Sequence, residues 1–329
     1  YLYDLSPKKS FICYGLDNGL QMFAISWRNP TAAQRDWNLD TYVQAVEEAI
    51  DVTRAITASE DCNLLGGCAG GITTVSLVGH LASRGERKVN ALILMVTLLD
   101  MSAETQLGLF ATETTIEAAK RHSAKQGVLE GGEMARVFAW LRPNDLIWNY
   151  WVNNYLLGNE PPAFDVLAWN ADTTRLPAAF HGDLLDVIKD NSLVKGKLVV
   201  RGTPIDLSKI TCDLFWVAGI TDHITPWQAC YRSSKFLGGQ CEFVLSTGGH
   251  IQSMLSAPGH PKTSFYTNSQ HPAEPEIWLG GATEQTGSWW EHWRTWIKKR
   301  SGTTKKAPAA LGNSDYPPLQ EAPGTYIYE

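Results

Sequence analysis

Apolar residues fall along the chain in short continuous runs separated by stretches of helical period. The runs "QMFAISW" (21–27), "DCNLL" (61–65), "VNALILMV" (89–96), "CDLFWVAG" (212–219) and "CEFVLS" (241–246) predict strands buried on both faces. Between them, "LDTYVQAVEEAIDVTRAI" (39–56), "ITTVSLVGHLASRG" (72–85) and "PWQACYRSSKFLG" (226–238) predict helices. In the second of these Val75, Val78 and Leu81 share a face, and Gly85 closes it. Strand and helix thus alternate in two blocks, the pattern of an α/β fold with a mostly parallel sheet covered by helices. Residues 101–198 carry no strand signal and read as a helical, aromatic insertion between the blocks. The chain accordingly divides into a first core part (1–100), a cap (101–198), a second core part (199–300) and a polar, proline-dotted tail (301–329) extended on the surface.

The segment "LLGGCAGGITTVSLVGH" (64–80) sets Cys68 among four glycines, just where a strand should pass into a helix. Gly66-x-Cys68-x-Gly70 has the spacing of a nucleophile elbow, with cysteine where serine usually stands. Such a turn holds its central residue in a strained backbone conformation and needs small neighbours for close approach. The thiol would project above the sheet over a helix N-terminus, whose partial positive charge favours a thiolate and a developing oxyanion. The alternative is a buried small residue in a tight turn. A strand before and a helix after favour the nucleophile.

In an α/β-hydrolase fold the acid and the histidine follow the nucleophile in that order, on loops after later strands. Asp222 in "GITDHITP" stands three residues beyond Gly219, and His250 in "STGGHIQS" stands just after the run 241–246. His80, His122, His181 and His292 fall in helices or in the cap and read as structural. His260 and His271 sit in an irregular, proline-rich stretch with no strand before them. His223 adjoins Asp222 and would point away from the thiol if Asp222 points toward it. No Gly-x-Ser-x-Gly competes with this constellation.

Composition narrows the classes. Of the 329 residues 44% are hydrophobic and 19% charged, as in an ordinary globular protein. A net charge of −6, with no basic block longer than Lys298–Arg300, argues against nucleic acid. The apolar run "ALILMV" (91–96) is far too short to span a bilayer. The chain opens on Tyr1 rather than methionine and reads as a piece of a longer polypeptide. Six cysteines, at 13, 62, 68, 212, 230 and 241, form no CxxC pair or zinc spacing and suggest reduced thiols in a cytosol. No metal or other cofactor is called for. Many of the 13 tryptophans lie in two places. Trp289, Trp293 and Trp296 share one helical face and read as core. The stretch "WLRPNDLIWNYWVNNYLLGN" (140–159) mixes aromatics with asparagines, as a partly wet, ligand-facing surface does.

With these motifs together the chain resembles the catalytic domain of polyhydroxyalkanoate synthases, whose lipase-like box carries cysteine as "GGCAGG" does here. The likeness extends through "SWRNP" (26–30), "PNDLIWNYWVNNYLLGNEPP" (143–162), "WNADTTRLPAAFHGDLL" (169–185), "GTPIDL" (202–207), "DHITPW" (222–227) and "GGHIQS" (248–253). The wording "TTRLPAAFHGDLL" is nearest the class II, pseudomonad-type enzymes that favour medium-chain monomers. The resemblance implies an α/β-hydrolase fold with an inserted cap, acting on 3-hydroxyacyl-coenzyme A and a growing polyester chain. It implies Cys68 as the acylated nucleophile, His250 as general base and Asp222 as third member, orienting His250 or helping to activate the substrate hydroxyl. It implies the backbone N–H of Ala69 as one oxyanion donor, the other lying in the strand and loop that precede "YLYDL" in the family. A homodimer in the cytoplasm, at the surface of polymer granules, is implied as well. The residues alone stop at a cysteine-nucleophile acyl-transfer enzyme. A thioesterase or dienelactone-hydrolase-like enzyme fits the triad equally and the large aromatic cap less well. A non-enzymatic granule-coating protein with a decayed site fits the intact, ordered triad poorly.

Overall fold

In the computed structural model, which describes residues 1–103, 105, 108, 111–141, 144–161, 165–259, 262–325 and 328, the apolar runs pair into one sheet. Across it lie β1 (Cys62–Gly67), β2 (Val89–Met95), β7 (Asp213–Gly219), β8 (Cys241–Ser246), β9 (Ser264–Thr267) and β10 (Thr283–Thr286), numbered in chain order. The first four are mutually parallel, and β9 and β10 close one edge as an antiparallel pair. Alternate residues of a strand point to opposite faces, so a continuous apolar run feeds two cores at once. Leu92 and Leu94 of β2 and Leu214, Trp216 and Ala218 of β7 enter one core. Ala91, Ile93 and Met95, with Phe215 and Val217, enter the other.

Helices cover both faces. On the first lie α2 (Leu39–Thr57), α3 (Ala69–Ser83), α8 (Trp227–Ser234) and α10 (Pro275–Gly280). The start of α2 is fixed by a reciprocal cap: Thr41 N–H donates to Asn38 Oδ1 at 3.0 Å and Asn38 N–H to Thr41 Oγ1 at 3.3 Å. On the second face lie α1 (Phe11–Asp17), α9 (His250–Met254) and α11 (Trp289–Lys298). Ser288 caps α11 through the Trp290 N–H at 3.0 Å. Trp289, Trp293 and Trp296 are buried as the helical spacing requires, and Trp290 joins them. The Phe11 ring lies 4.4 Å from that of Trp293, which locks α1 to α11.

Two expectations fail here for one physical reason. The run 21–27 enters no strand ladder, and Phe23, Ile25 and Trp27 are exposed. The short strands β9 and β10, "SFYT" and "TEQT", lack an apolar run and still pair. A strand needs a hydrogen-bonding neighbour as well as a suitable pattern, and the pattern cannot announce where the neighbour lies.

Between β2 and β7 the chain forms α4 (Glu113–Gln126), α5 (Gly131–Leu141), two π-helical turns (Asn144–Trp148 and Trp151–Leu156), α6 (Asp165–Ala171) and α7 (Ala178–Asp190). A two-residue ladder joins β3 (Val128–Leu129) to β4 (Leu176–Pro177), and a hairpin joins β5 (Val199–Val200) to β6 (Thr203–Pro204). The last helix, α7, packs on the core: Phe180 and Val187 belong to the α2 cluster, and the Tyr42 and Phe180 rings are 4.3 Å apart. In the asparagine-rich stretch Trp140, Trp148, Trp151 and Tyr155 are exposed, the last two stacked at 4.4 Å. Arg142, Pro143 and Pro162 of the motifs quoted there lie outside the described residues. The tail after Arg300 is almost entirely exposed, tied down by Lys305 Nζ on Thr57 O (3.2 Å) and Asn313 Nδ2 on Ala55 O (3.1 Å).

The aromatic contact between α1 and α11 should dominate the second core. Trp293→Ala is expected to cost about 3–5 kcal/mol, the range for emptying a large buried aromatic site. Urea denaturation should show a lower midpoint at unchanged slope.

Candidate active site

Parallel strands bring their C-terminal ends to one edge of the sheet, and the three predicted residues emerge there. Cys68 follows β1, Asp222 follows β7 and His250 follows β8. Cys68 has φ 52° and ψ −124°, a conformation costly for any residue but glycine. Its N–H donates to Met95 O at 2.9 Å, which ties the turn to the end of β2. The 15-residue α3 begins at the next residue, so the Ala69 N–H lies in the helix's first turn, where backbone donors have no intrahelical partner. The glycines that the turn needs are Gly66, Gly67 and Gly71, a Cβ on Gly67 striking the Tyr3 hydroxyl. A Cβ on Gly66 would strike the Thr74 side chain, and one on Gly71 the Thr97 side chain. Gly70, expected from the elbow spacing to serve close approach, faces open space instead.

Asp222 is the member of "TDHITP" that meets His250: Asp222 Oδ2 lies 2.7 Å from His250 Nδ1. Its other oxygen, Oδ1, accepts the N–H groups of Ile224 (2.8 Å) and Thr225 (3.0 Å). Both side chains are buried, and the Cys68 thiol is among the groups that act on the His250 ring. With Nδ1 held by the carboxylate, Nε2 is left for the sulfur. Burial opposes charge on both members, but hydrogen bonding prevails. The Asp222 carboxyl is held below its usual range by His250 and Thr225, and the His250 imidazole is raised by Asp222 and Cys68 to about 10. The ring is therefore a stronger base than a free histidine, aimed at a thiol. Such an arrangement can deprotonate Cys68, carry the proton and return it to a leaving group.

The remaining candidates are placed elsewhere. His80 is buried in α3 beside Arg84, His122 pairs with Glu133 at 2.8 Å, His181 meets Ser123 Oγ at 3.0 Å and His292 meets Glu242 at 2.8 Å. His223 is half-buried on the Asp222 loop, His271 follows β9, contrary to the expectation that no strand precedes it, and His260 lies outside the described residues. Burial pushes the thiols of Cys62 and Cys212 up to about 11 and that of Cys241 up to about 12, so they stay protonated and unreactive at neutral pH. Two neighbours went unread in the sequence. Thr225 donates its hydroxyl to Asp222 Oδ2 at 2.8 Å; its position three residues after an aspartate in a loop was an available signal. Tyr3 packs its hydroxyl against Gly67 and Met254 Sδ (3.6 Å), a contact with no local sequence signature. Among the described residues no cluster of His, Cys, Asp and Glu could hold a metal ion, and no helix is long and apolar enough to cross a membrane.

Fold and site together define the class. The chain belongs to the alpha/beta hydrolase fold family, whose model matches residues 6–257. Among curated proteins it is similar to poly(3-hydroxyalkanoate) polymerase 1 of Ectopseudomonas oleovorans, at 58% identity over 100% of this chain and 59% of that protein. Polymerase 2 of the same organism is 55% identical over 99% of this chain and 59% of its own length. The poly(3-hydroxyalkanoate) polymerase subunit PhaC of Cupriavidus necator is 38% identical over 99% and 57%. These identities bear out the resemblance to the pseudomonad-type synthases. The chain spans about three fifths of the length of the first two relatives.

The buried pair makes stability depend on pH in a defined sense. The His250 ring binds its proton more tightly when folded, so its contribution is full below about pH 6.5, the unfolded value, and is lost as pH rises toward about 10. Asp222, held low, contributes fully above about pH 4 and loses its contribution as pH falls through the lowered folded value. Urea unfolding of the wild type should therefore show stability declining between pH 6.5 and 10. Asp222→Asn should flatten that slope, and an equal slope in the variant would contradict the pairing.

Proposed function

We propose that this chain carries the catalytic machinery of a poly(3-hydroxyalkanoate) polymerase. The observation that supports it most is the hydrogen-bonded pair Asp222 and His250, with Cys68 acting on the same ring from the elbow, in a chain 58% identical to a polymerase of that name. In this reading Cys68, His250 and Asp222 are the catalytic residues. His250 takes the Cys68 proton as the sulfur attacks the thioester carbonyl of a 3-hydroxyacyl-coenzyme A. The carbon–sulfur bond to coenzyme A then breaks, His250 returns the proton to that sulfur, and the acyl group remains on Cys68. Exchange of one thioester for another is nearly isoenergetic, so the acyl group stays activated. In the second half His250 takes the proton of a hydroxyl on the incoming monomer, whose oxygen attacks the acyl carbon. An ester forms, and the Cys68 thiol is regenerated with that proton. The Ala69 N–H would face the oxyanion in both halves, a contribution of roughly several kcal/mol in related sites.

Polymerisation requires that the hydroxyl outcompete water at the acyl-enzyme. Residues 101–198 serve in this reading as an inserted cap, with α7 as its footing on α2. Trp169 of α6 packs against the same apolar cluster as Cys68 and would help keep the site dry. The exposed aromatics between Trp140 and Tyr155 support association with an apolar polyester surface. A homodimer in the cytoplasm, at the surface of polymer granules, completes the reading.

Isotope-labelled 3-hydroxyacyl-coenzyme A should leave label on the peptide containing Cys68. Cys68→Ala should abolish that label and Cys62→Ala should leave it, because burial keeps the Cys62 thiol protonated. Retained acylation in Cys68→Ala would overturn the assignment. Asp222→Asn should slow turnover by two or more orders of magnitude, roughly the scale seen when a triad acid is neutralised. His223→Gln should cost much less, and the reverse order in folded proteins would reassign the acid.

A further inference from the structure

Within the site, Thr225 is a buried side chain to which the reaction as described gives no task. Its hydroxyl makes two contacts with the reacting line: 2.8 Å to Asp222 Oδ2 and 3.3 Å to His250 Nδ1. A hydroxyl has one proton and two lone pairs. An ionised carboxylate can only accept, so the proton goes to Asp222. Toward His250 the oxygen then presents a lone pair, which suits a ring nitrogen bearing hydrogen. Nδ1–H thus faces two acceptors, Asp222 Oδ2 and Thr225 Oγ1. The backbone holds the hydroxyl in place: Thr225 N–H donates to Asp222 Oδ1 at 3.0 Å, and Thr225 O accepts from the buried Cys230 Sγ at 3.5 Å.

We propose that Thr225 is a positioning residue that fixes the neutral His250 in the Nδ1–H tautomer, so that the Nε2 lone pair is presented to Cys68, and that stabilises the imidazolium formed once Nε2 has taken the thiol proton. This rests on reading Cys68, His250 and Asp222 as the reacting line. The titratable groups around Thr225 are Asp222 and His223 on its own loop, His250 of α9, Cys230 of α8 and Cys68 at the elbow. Cys230 is fully buried, and burial raises its thiol, so it stays protonated and leaves the pH response to the other groups.

The test needs no substrate. The rate of alkylation of Cys68 by iodoacetamide, followed on its own peptide by mass spectrometry, reports how readily the thiolate forms as pH is varied. Thr225→Val keeps the shape and removes the hydroxyl. Its alkylation profile should move to higher pH by about half to one unit, which is roughly 3- to 10-fold slower reaction below the midpoint. Thr225→Ser should restore the wild-type profile, which a purely structural role for the methyl group would not predict. Thr225→Ala serves as the hydroxyl-free variant if valine does not give a folded protein by circular dichroism. A folded hydroxyl-free variant whose profile overlays the wild type overturns the proposal, as does a folded Thr225→Ser that fails to restore it. His250→Ala separates the two levels. If it shifts the Cys68 profile while Thr225→Val does not, the reacting line stands and the role of Thr225 falls. If it shifts nothing, both fall.

Discussion

The left-handed turn at Cys68 is the constraint on which the site depends. A non-glycine residue in that region costs on the order of 1–3 kcal/mol and persists only where its surroundings over-determine it. Here they do. The Cys68 N–H is held by Met95 O, the strand before it is paired to β2 along its length, and the helix after it is buried through Gly71–Leu81. Thr74 and Thr97 close on Gly66 and Gly71 so tightly that no side chain could be added at either. The turn cannot relax without unpacking α3 from the sheet. As a result the thiol is fixed above a helix N-terminus before any substrate arrives, which is the preorganisation that the proposed acyl transfer would require.

The partners of the thiol are held by a different device. Asp222 and His250 lie on loops, where backbone freedom would blur their positions. The Asp222 loop is made rigid by its own carboxylate, which collects the N–H groups of Ile224 and Thr225, the Thr225 hydroxyl and His250 Nδ1. The carboxylate that tunes the base is thus also the post around which the loop is wound. Leaving such a buried anion without donors would be costly. The loop and the ring therefore order one another.

Much of this was legible in the sequence, and the failures share a cause. The strands β1, β2, β7 and β8 announced themselves because doubly buried strands are continuous apolar runs, and the places of Cys68, Asp222 and His250 at the ends of β1, β7 and β8 were legible from those runs. Local glycine chemistry marked the elbow, and helical patterning marked α2. What the sequence did not show is what depends on partners distant along the chain. The segment 21–27 has a strand's pattern without a strand's neighbour, while β10 has a neighbour without the pattern. Gly71 rather than Gly70 proved the tight glycine because Thr97, from the end of another strand, closes on it. Tyr3 reaches the elbow across more than 60 residues of sequence and left no local trace.

The elbow, the base and the acid are common to enzymes that pass an acyl group to water and to enzymes that pass it to a hydroxyl. In the proposed reading the difference lies in what residues 101–198 would admit to an acyl group on Cys68. The most direct measurement supplies 3-hydroxyacyl-coenzyme A to the protein and quantifies both products that accompany coenzyme A release. The account predicts that polyester accounts for nearly all of the acyl groups consumed. Stoichiometric release of free 3-hydroxy acid, with no polymer formed, would contradict it.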